Sequence, residues 1–274
     1  MAFLVTVGVE PNEVEKIRSR VEARVVSYPG VPNTYAFDGK VRMESGSVMG
    51  RFVEPTAIIY YGYFEGPEVT QARRAIALSS TPSFPDIRST FLLDDRVQAL
   101  VMAKVQDEAL TCSELVSLPH GYMPAGSLPK FEGARVANWG NRHAGEGKLR
   151  LKESEDLPEP SIIEPFIHGR SERILLIRQR FWHLRYESAD WRKNVQATVT
   201  VLEQVDPDLL NRATWIARKL NLNVAGVDFI VDSTGRAYLL EVNAYPGFED
   251  FPEASDAFVD EVVRWVRTLN METR

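Results

Sequence analysis

Cysteine is almost absent from this chain. Cys112 is the only one among 274 residues, which excludes an internal disulfide and any structural zinc site built on several thiolates. That scarcity fits a reducing compartment. Histidine is hardly commoner: His120, His143, His168 and His183 show no ligand spacing such as two on one helical turn, so no zinc is assigned. Long apolar runs are missing too. Met1–Gly8 is apolar for eight residues without a basic flank and leads into polar Glu10-Pro11-Asn12-Glu13, too little for a signal peptide or a spanning helix. A cytoplasmic protein with no membrane partner is expected. Basic residues are scattered and the net charge is −6, so the footprint of a phosphate-backbone binder is lacking and no nucleic-acid partner is expected. There is no Gly-x-Ser-x-Gly elbow, no cysteine-centred nucleophile signature and no fixed-period repeat.

What remains is an ordinary globular composition, 44% hydrophobic and 26% charged, enough for one large or two to three small domains. Phe3–Val7 reads as a buried strand, Pro11–Val21 as a helix and valine-rich Ala23–Ser27 as a second strand. Thr56–Phe64 reads as a further strand. Pro67–Leu78 has helical spacing, with Arg73 and Arg74 expected at its dipole-favoured C-terminal end. This alternation implies an open α/β unit over the first 90 residues. Asp94–Asp107 reads as a helix, and Pro119–Gly133, full of proline and glycine, as connecting structure. Asp206-Pro207 forms an N-cap and first-turn pair for a helix to about Leu220. A last helix, Pro252–Leu269, buries Phe258, Val262, Val263, Val266 and Leu269.

The most informative segment is Asn223–Phe248, two apolar runs separated by the turn-forming Asp232-Ser233-Thr234-Gly235, and it predicts a β-hairpin. With Val231 facing Arg236, strand alternation puts Asp228, Glu241 and Asn243 on one face, Glu241 diagonal to Asp228. Two carboxylates and an amide within apolar strands are costly to desolvate unless a cation neutralises them. Magnesium takes oxygen ligands, needs only one or two protein carboxylates and completes its shell with water and nucleotide phosphates. By spacing alone the same residues would also suit a solvated hairpin face.

The surrounding sequence favours the metal. Gly226-Val227-Asp228-Phe229, followed by Leu240-Glu241-Val242-Asn243-Ala244-Tyr245-Pro246-Gly247-Phe248, resembles the metal-binding signature of ATP-grasp ligases, closest to the glutathione synthetase and ribosomal-protein glutamate ligase branch. The resemblance runs from about Phe91 to Glu253. It implies an α/β (α+β) ATP-grasp fold: an N-terminal α/β domain (1–90), a central nucleotide-lid subdomain (91–167) and a C-terminal subdomain with the metal site (168–274). Ser161–Ile167 resembles the hinge of that family. The likeness places Glu164 and the Phe166 and Ile167 backbone beside adenine, with Val136 and Leu240 as apolar walls. Arg173, Arg185 and Trp191-Arg192-Lys193-Asn194 resemble its phosphate- and carboxylate-stabilising series, so Arg173, Arg185, Arg192 and Asn194 are the candidate catalytic residues. Guanidinium suits that work because its planar donor fork matches phosphate and carboxylate oxygens. Glu172 is a candidate ribose ligand, although its spacing to Arg173 is one residue tighter than the family's.

Asn138–Lys148 looks like the glycine-rich phosphate loop, whose glycines allow close backbone approach; it is not a Walker A motif. Asn138 stands where the family carries a phosphate-binding lysine, and an amide cannot replace a full charge. Arg96 stands for a second lysine, and Arg142, His143 and Lys148 are candidates to compensate from the loop. The Gly-Gly that seats the acceptor is missing after Asn194. The implied cofactors are ATP and Mg2+, one ion or two, with Mn2+ as a substitute. The implied reaction joins a carboxylate to an amine on a small molecule or peptide through an acyl phosphate. Two rival readings stay open: a degenerate ATP-grasp protein that binds nucleotide or a partner protein without turnover, and a nucleic-acid module based on the aromatic and basic stretch Arg178–Arg192. Homo-oligomer formation is left open as well.

Overall fold

The first strand, β1 (Ala2–Val7), lies between two parallel neighbours and packs Leu4 into one core and Val5 and Val7 into another, which explains its largely apolar run: a strand covered on both faces has no polar side to show. The structure, a computed structural model, describes residues 2–45, 50–62, 64, 66–93, 116–117, 121–123, 133–138, 147–151, 161–192, 195–248 and 251–272. After β1 come α1 (Pro11–Arg18), β2 (Ala23–Tyr28), a small antiparallel sheet of β3 (Thr34–Phe37), β4 (Lys40–Glu44) and β5 (Phe52–Val53), then β6 (Ala57–Tyr60), α2 (Pro67–Leu78), β7 (Ser83–Phe84) and the short α3 (Ile87–Thr90). The main sheet of this unit has the order β2-β1-β6-β7, parallel throughout. The open α/β reading of the first 90 residues therefore holds.

Three sequence expectations need correction here. The first helix stops at Arg18 rather than Val21, because only four residues separate it from β2 and the chain must turn within that gap. The strand expected over Thr56–Phe64 is only Ala57–Tyr60. In α2 the last turn holds no basic residue: Arg73 and Arg74 sit mid-helix, too far from its end to meet the dipole. The small β3–β4–β5 sheet had no counterpart in the sequence reading. The helix expected over Asp94–Asp107 lies outside the described residues.

The second half is built on two sheets, antiparallel except for one parallel edge strand. β9 (Gly121–Met123), β10 (Arg135–Asn138), β11 (Lys148–Leu151) and β12 (Ser161–Pro165) form a four-stranded sheet in the order β11-β10-β12-β9. One of its faces packs Ala137, Leu151 and Ile163 together. β8 (Val116–Ser117), β13 (Gly169–Ile177), β14 (Arg180–Glu187), β15 (Thr198–Val201), β16 (Val224–Asp232) and β17 (Ala237–Asn243) form a six-stranded sheet in the order β15-β14-β13-β16-β17-β8. Among these strands run α4 (Pro207–Lys219) and, at the end, α5 (Pro252–Glu272). Asp206 caps α4 as expected, its carboxylate accepting from the Asp208 and Leu209 N–H groups and satisfying two of the helix's orphan donors.

Alternation divides the two faces of the larger sheet. Ile174, Leu176, Ala225, Val227, Phe229 and Val231 point towards α4. Leu175, Ile177, Leu184 and Val224 point the other way and share one core with α5, α1, Leu4 of β1 and Ile59 of β6. The first 90 residues are thereby packed onto the C-terminal sheet rather than tethered to it. Phe258, Val262, Val263 and Val266 of α5 are buried there, with Leu269 partly so. Among the described residues, no helix is long and apolar enough to cross a membrane.

Candidate nucleotide and metal site

Local sequence dictates the hairpin of β16 and β17. Asp232 makes its turn: its carboxylate accepts from the N–H groups of Thr234 and Arg236 and from the Thr234 hydroxyl, and Gly235 takes a positive φ of 87°, where a side chain would be strained. The register differs from the sequence expectation. Val231 pairs with Ala237, not Arg236, and the ladder shifts between Asp228 and Phe229 so that Leu240 is extra and Asp228 lies directly opposite Glu241. A β-bulge of this kind re-aims side chains. Asp228, Glu241 and Asn243, which is opposite Gly226, still share one face, but the carboxylates are an opposed pair instead of a diagonal one.

That face is crowded with charge. Arg173 of β13 pairs with Asp228 across the sheet and grips it with both prongs, Nε donating to Oδ1 at 2.5 Å and an NH2 nitrogen to Oδ2 at 2.8 Å. Tyr186 of β14 lies beside them, its ring centroid 5.2 Å from the Arg173 guanidinium. Gly226 leaves the room: a Cβ there would stand 3.3 Å from the Arg173 Cδ and Nε and 3.0 Å from the Pro246 Cβ. Pro246 is itself fixed from the first unit, where the Tyr61 hydroxyl donates to its carbonyl at 2.7 Å. Asn243 is oriented by its own turn, its Oδ1 accepting from the Tyr245 N–H at 2.8 Å.

Glu241 reports what this face is short of. Burial, and the Asp228 carboxyl beside it, push its pKa up to about 7 although Lys148 and, less strongly, Arg173 pull it down. Two opposed carboxyls in a desolvated place do not both stay ionised without more positive charge. The residues present therefore fit a hard divalent cation: two carboxylates and an amide oxygen, with a second lone pair left on the Asn243 oxygen. Among the described residues, no three His, Cys, Asp or Glu side chains come together, so the donor set is this small, oxygen-only one.

Lys148, whose charge lowers the Glu241 pKa, belongs to the smaller sheet. In that sheet Val136 pairs with Arg150 and Glu164, while Asn138 pairs with Lys148 and Ile162. Opposed residues share a face, so Val136, Asn138, Lys148 and Glu164 all lie on the same side, away from the buried Ala137, Leu151 and Ile163. Asn138 donates from Nδ2 to the Glu164 carboxylate at 2.9 Å, and its Oδ1 is buried without a partner. That face of the smaller sheet carries an ammonium, an amide and a carboxylate together with the Arg150 guanidinium.

A family profile described as "RimK-like ATP-grasp domain" matches residues 168–266, the span that carries Arg173, Asp228, Glu241 and Asn243. Residues 168–266 are thus similar to a RimK-like ATP-grasp domain. No curated protein matches it in sequence. Among solved structures, the macrocyclase MdnC bound with precursor peptide MdnA, from Microcystis aeruginosa, superposes with a TM-score of 0.65 at 12% identity over 96% of this chain and 100% of that one. D-alanyl-alanine synthetase A from Vibrio cholerae gives 0.64 at 12% identity, covering 98% of both chains. The ATP-grasp ligase PsnB, complexed with a phosphomimetic variant of its minimal precursor, Mg and ADP, gives 0.61 at 13% identity over 96% of this chain and 99% of that one. At such identities the likeness is one of fold, and the whole chain has the ATP-grasp fold.

Within the ATP-grasp fold, the expected site residues separate into groups. Arg173, Asp228, Glu241 and Asn243 come together, and Val136, Asn138, Lys148 and Glu164 share the opposing face. Leu240 sits at the bulge beside Glu241. At the hinge, the Phe166 N–H is already given to the Ala134 carbonyl, and the Phe166 ring is held by Arg150, whose guanidinium is 4.2 Å from the centroid, and by His168. Ile167 follows in the link to β13.

Arg185 and Glu172 go elsewhere. They pair with each other on β14 and β13, hence on the opposite face of the sheet from Arg173 and Asp228. Glu172 is buried at 4% side-chain exposure and is filled by Arg170, Arg185 and His183. It offers nothing to the nucleotide cleft from there. The His183 Nδ1 accepts from the Asp206 N–H at 3.3 Å, so its Nε2 is the donor to Glu172. Arg192 is held by Asp190, two residues earlier, at 2.7 and 3.1 Å. Arg96, Arg142, His143 and Asn194 lie outside the described residues. Sequence reasoning missed Tyr186 and Gly226. Tyr186 could have been found by extending the alternation of the β13–β14 hairpin from Arg173; Gly226 needed the tertiary contact with Pro246. The aromatic stretch once weighed as a base-stacking surface is strand β14, whose Trp182 and Tyr186 pack against the core while Phe181 is exposed.

Proposed function

We propose that the chain is an ATP- and Mg2+-dependent carboxylate–amine ligase, acting on an amino acid or peptide in the cytoplasm. The observation that carries this is the opposed Asp228–Glu241 pair, faced by Lys148 and gripped by Arg173: a place with two acids, too little positive charge and cations arranged around it. Support comes from the RimK-like domain match over the same residues and from structural neighbours described as a macrocyclase bound with a precursor peptide, a ligase with a precursor, Mg and ADP, and a D-alanyl-alanine synthetase.

Asp228, Glu241 and Asn243 would hold the metal, which supplies charge neutralisation for the β- and γ-phosphates when bound. Val136, Leu240 and the hinge at Glu164–Ile167 would enclose the base. Arg173 and Arg192 would meet the transferred phosphoryl group, with Asn194 beside them, and Arg142 and Arg96 would add charge at the phosphates. An oxygen of the substrate carboxylate attacks the γ-phosphorus and ADP leaves. The amine nitrogen then attacks the acyl carbon, inorganic phosphate departs, and the amine proton passes to water. Little side-chain covalent chemistry is required; the protein's part is positioning and charge. Glu172 and Arg185, on the far face, serve as structure in this reading.

ADP release measured with a panel of carboxylates, amines and short peptides tests it. Turnover that requires both a carboxylate and an amine, and that is lost in Glu241→Gln while the fold is retained, is the expected result. Nucleotide binding with no ADP under any pairing would instead make the chain a binding protein.

A further inference from the structure

Arg173 occupies, with both prongs, the two oxygens of Asp228 that the metal reading needs. We propose that Arg173 is the stand-in cation of the metal-free protein: a divalent ion arriving with the nucleotide displaces its guanidinium from Asp228, freeing it for the anionic groups of the bound substrates. This inference rests on the ligase reading above and adds an exchange step within the same site.

Three features carry it. A two-pronged Arg–carboxylate pair takes one lone pair on each Asp228 oxygen, so a metal ion on the same carboxylate meets the like charge of the guanidinium at close range. The pair is also largely buried, with side-chain exposures of 15% and 14%, and a buried acid without a cation is costly; the arginine offsets that cost. Arg173 finally has a built berth. Gly226 lies beneath its Cδ and Nε at Cβ distances of 3.3 Å, and Tyr186 faces its guanidinium, so the head group can swing while the stem stays packed. Lys148 does not need to move, because it approaches from the other sheet. The exchange also gives order to the cycle: with Arg173 on Asp228 metal binding is weakened, and an ion that brings phosphates best offsets the break.

The test uses the whole chain, with Mg2+ and Mn2+ alone and then with ADP. Metal affinity is measured by calorimetry and Mn2+ relaxation on the wild type, Arg173→Lys and Arg173→Gln. Lysine keeps the charge but loses the fork. If Arg173 competes through its fork, Arg173→Lys binds Mn2+ about tenfold more tightly than wild type, with turnover reduced. If only net charge matters, Arg173→Lys binds like wild type and Arg173→Gln alone gains affinity, which overturns the proposal. The wild type gives an independent readout. Its Arg173 Nε–H resonance, assigned by its loss in Arg173→Gln, moves on saturation with Mg2+; an unmoved signal overturns the exchange even if the lysine variant fails to fold. Wild type that binds no metal, with Asp228→Asn equally inert, removes the metal reading itself and this inference with it.

Discussion

Asn138 and Lys148 stand directly opposite each other across β10 and β11, so the amide and the ammonium share the cleft-facing side of the small sheet. The charge that Asn138 lacks is supplied one strand away. Lys148→Ala is expected to weaken nucleotide binding by about 1.5–3 kcal/mol, the worth of a charge-assisted contact. Placing the lysine back, in Asn138→Lys with Lys148→Ala, should recover most of it. Fluorescent-nucleotide titration of the three proteins checks this.

Glu241→Gln removes a buried acid that is under repulsion, so the fold should persist while the metal-dependent gain from nucleotide disappears. Wild type with ADP and Mg2+ at a hundredfold excess over Kd gains about 2.7 kcal/mol of stability. In Glu241→Gln that gain should fall close to the value seen with ADP and no metal, as measured by urea unfolding.

The pH dependence follows from the same residue. Its pKa is raised in the folded protein to about 7 from an ordinary 4.5, so between those values the folded state holds more protons than the unfolded one. Without metal, this group's contribution to stability is fullest below pH 4.5 and declines as pH rises through 7. Added Mg2+ must expel that proton. The Mg2+-induced rise in Tm should therefore be larger at pH 8 than at pH 6, and metal binding near pH 7 should release protons detectable by calorimetry in two buffers.

On the other face of the sheet, Glu172 is the buried acid that Arg170, Arg185 and His183 surround. Glu172→Ala leaves His183 and Arg185 without their acceptor and should cost about 3 kcal/mol of stability. Mg2+ affinity should stay nearly unchanged, because the sheet separates the two clusters. Equilibrium unfolding paired with Mn2+ titration distinguishes this from a role in binding.

Gly226→Ala should act in the reverse way. The added methyl would crowd Pro246 and Arg173, an overpacking typically worth about 1–3 kcal/mol, and its larger effect should fall on turnover because Arg173 loses its berth. Tm and ADP release measured on one preparation separate the two effects.

Much of this fold was legible in the chain. The parallel opening unit followed from apolar runs alternating with helical spacing, α4 from its Asp206 cap, and the shared face of Asp228, Glu241 and Asn243 from the period of two in a strand. Errors arose where pattern gives way to register. The β16–β17 pairing was off because the Asp232 turn closes on Ala237 and a bulge follows, and nothing in composition marks a bulge. The family resemblance put Arg173 and Arg185 in one series. Across the β13–β14 hairpin, however, Arg173 pairs with Leu184 and Arg185 with Glu172, which puts them on opposite faces. The hairpin's turn at Arg178, with φ of 53°, set that outcome.

By itself the sequence determined which residue types were at hand and their local geometry: two acids and an amide on one strand face, capped helices, apolar strands, a hairpin turn. Those depend on neighbours a few residues away, where steric and hydrogen-bonding rules act directly. Only the tertiary structure decided that Arg173 grips Asp228 and that Tyr61 braces the loop behind Gly226. These contacts join residues 55 and 185 positions apart along the chain, and their distances are set by packing of whole sheets rather than by any local preference.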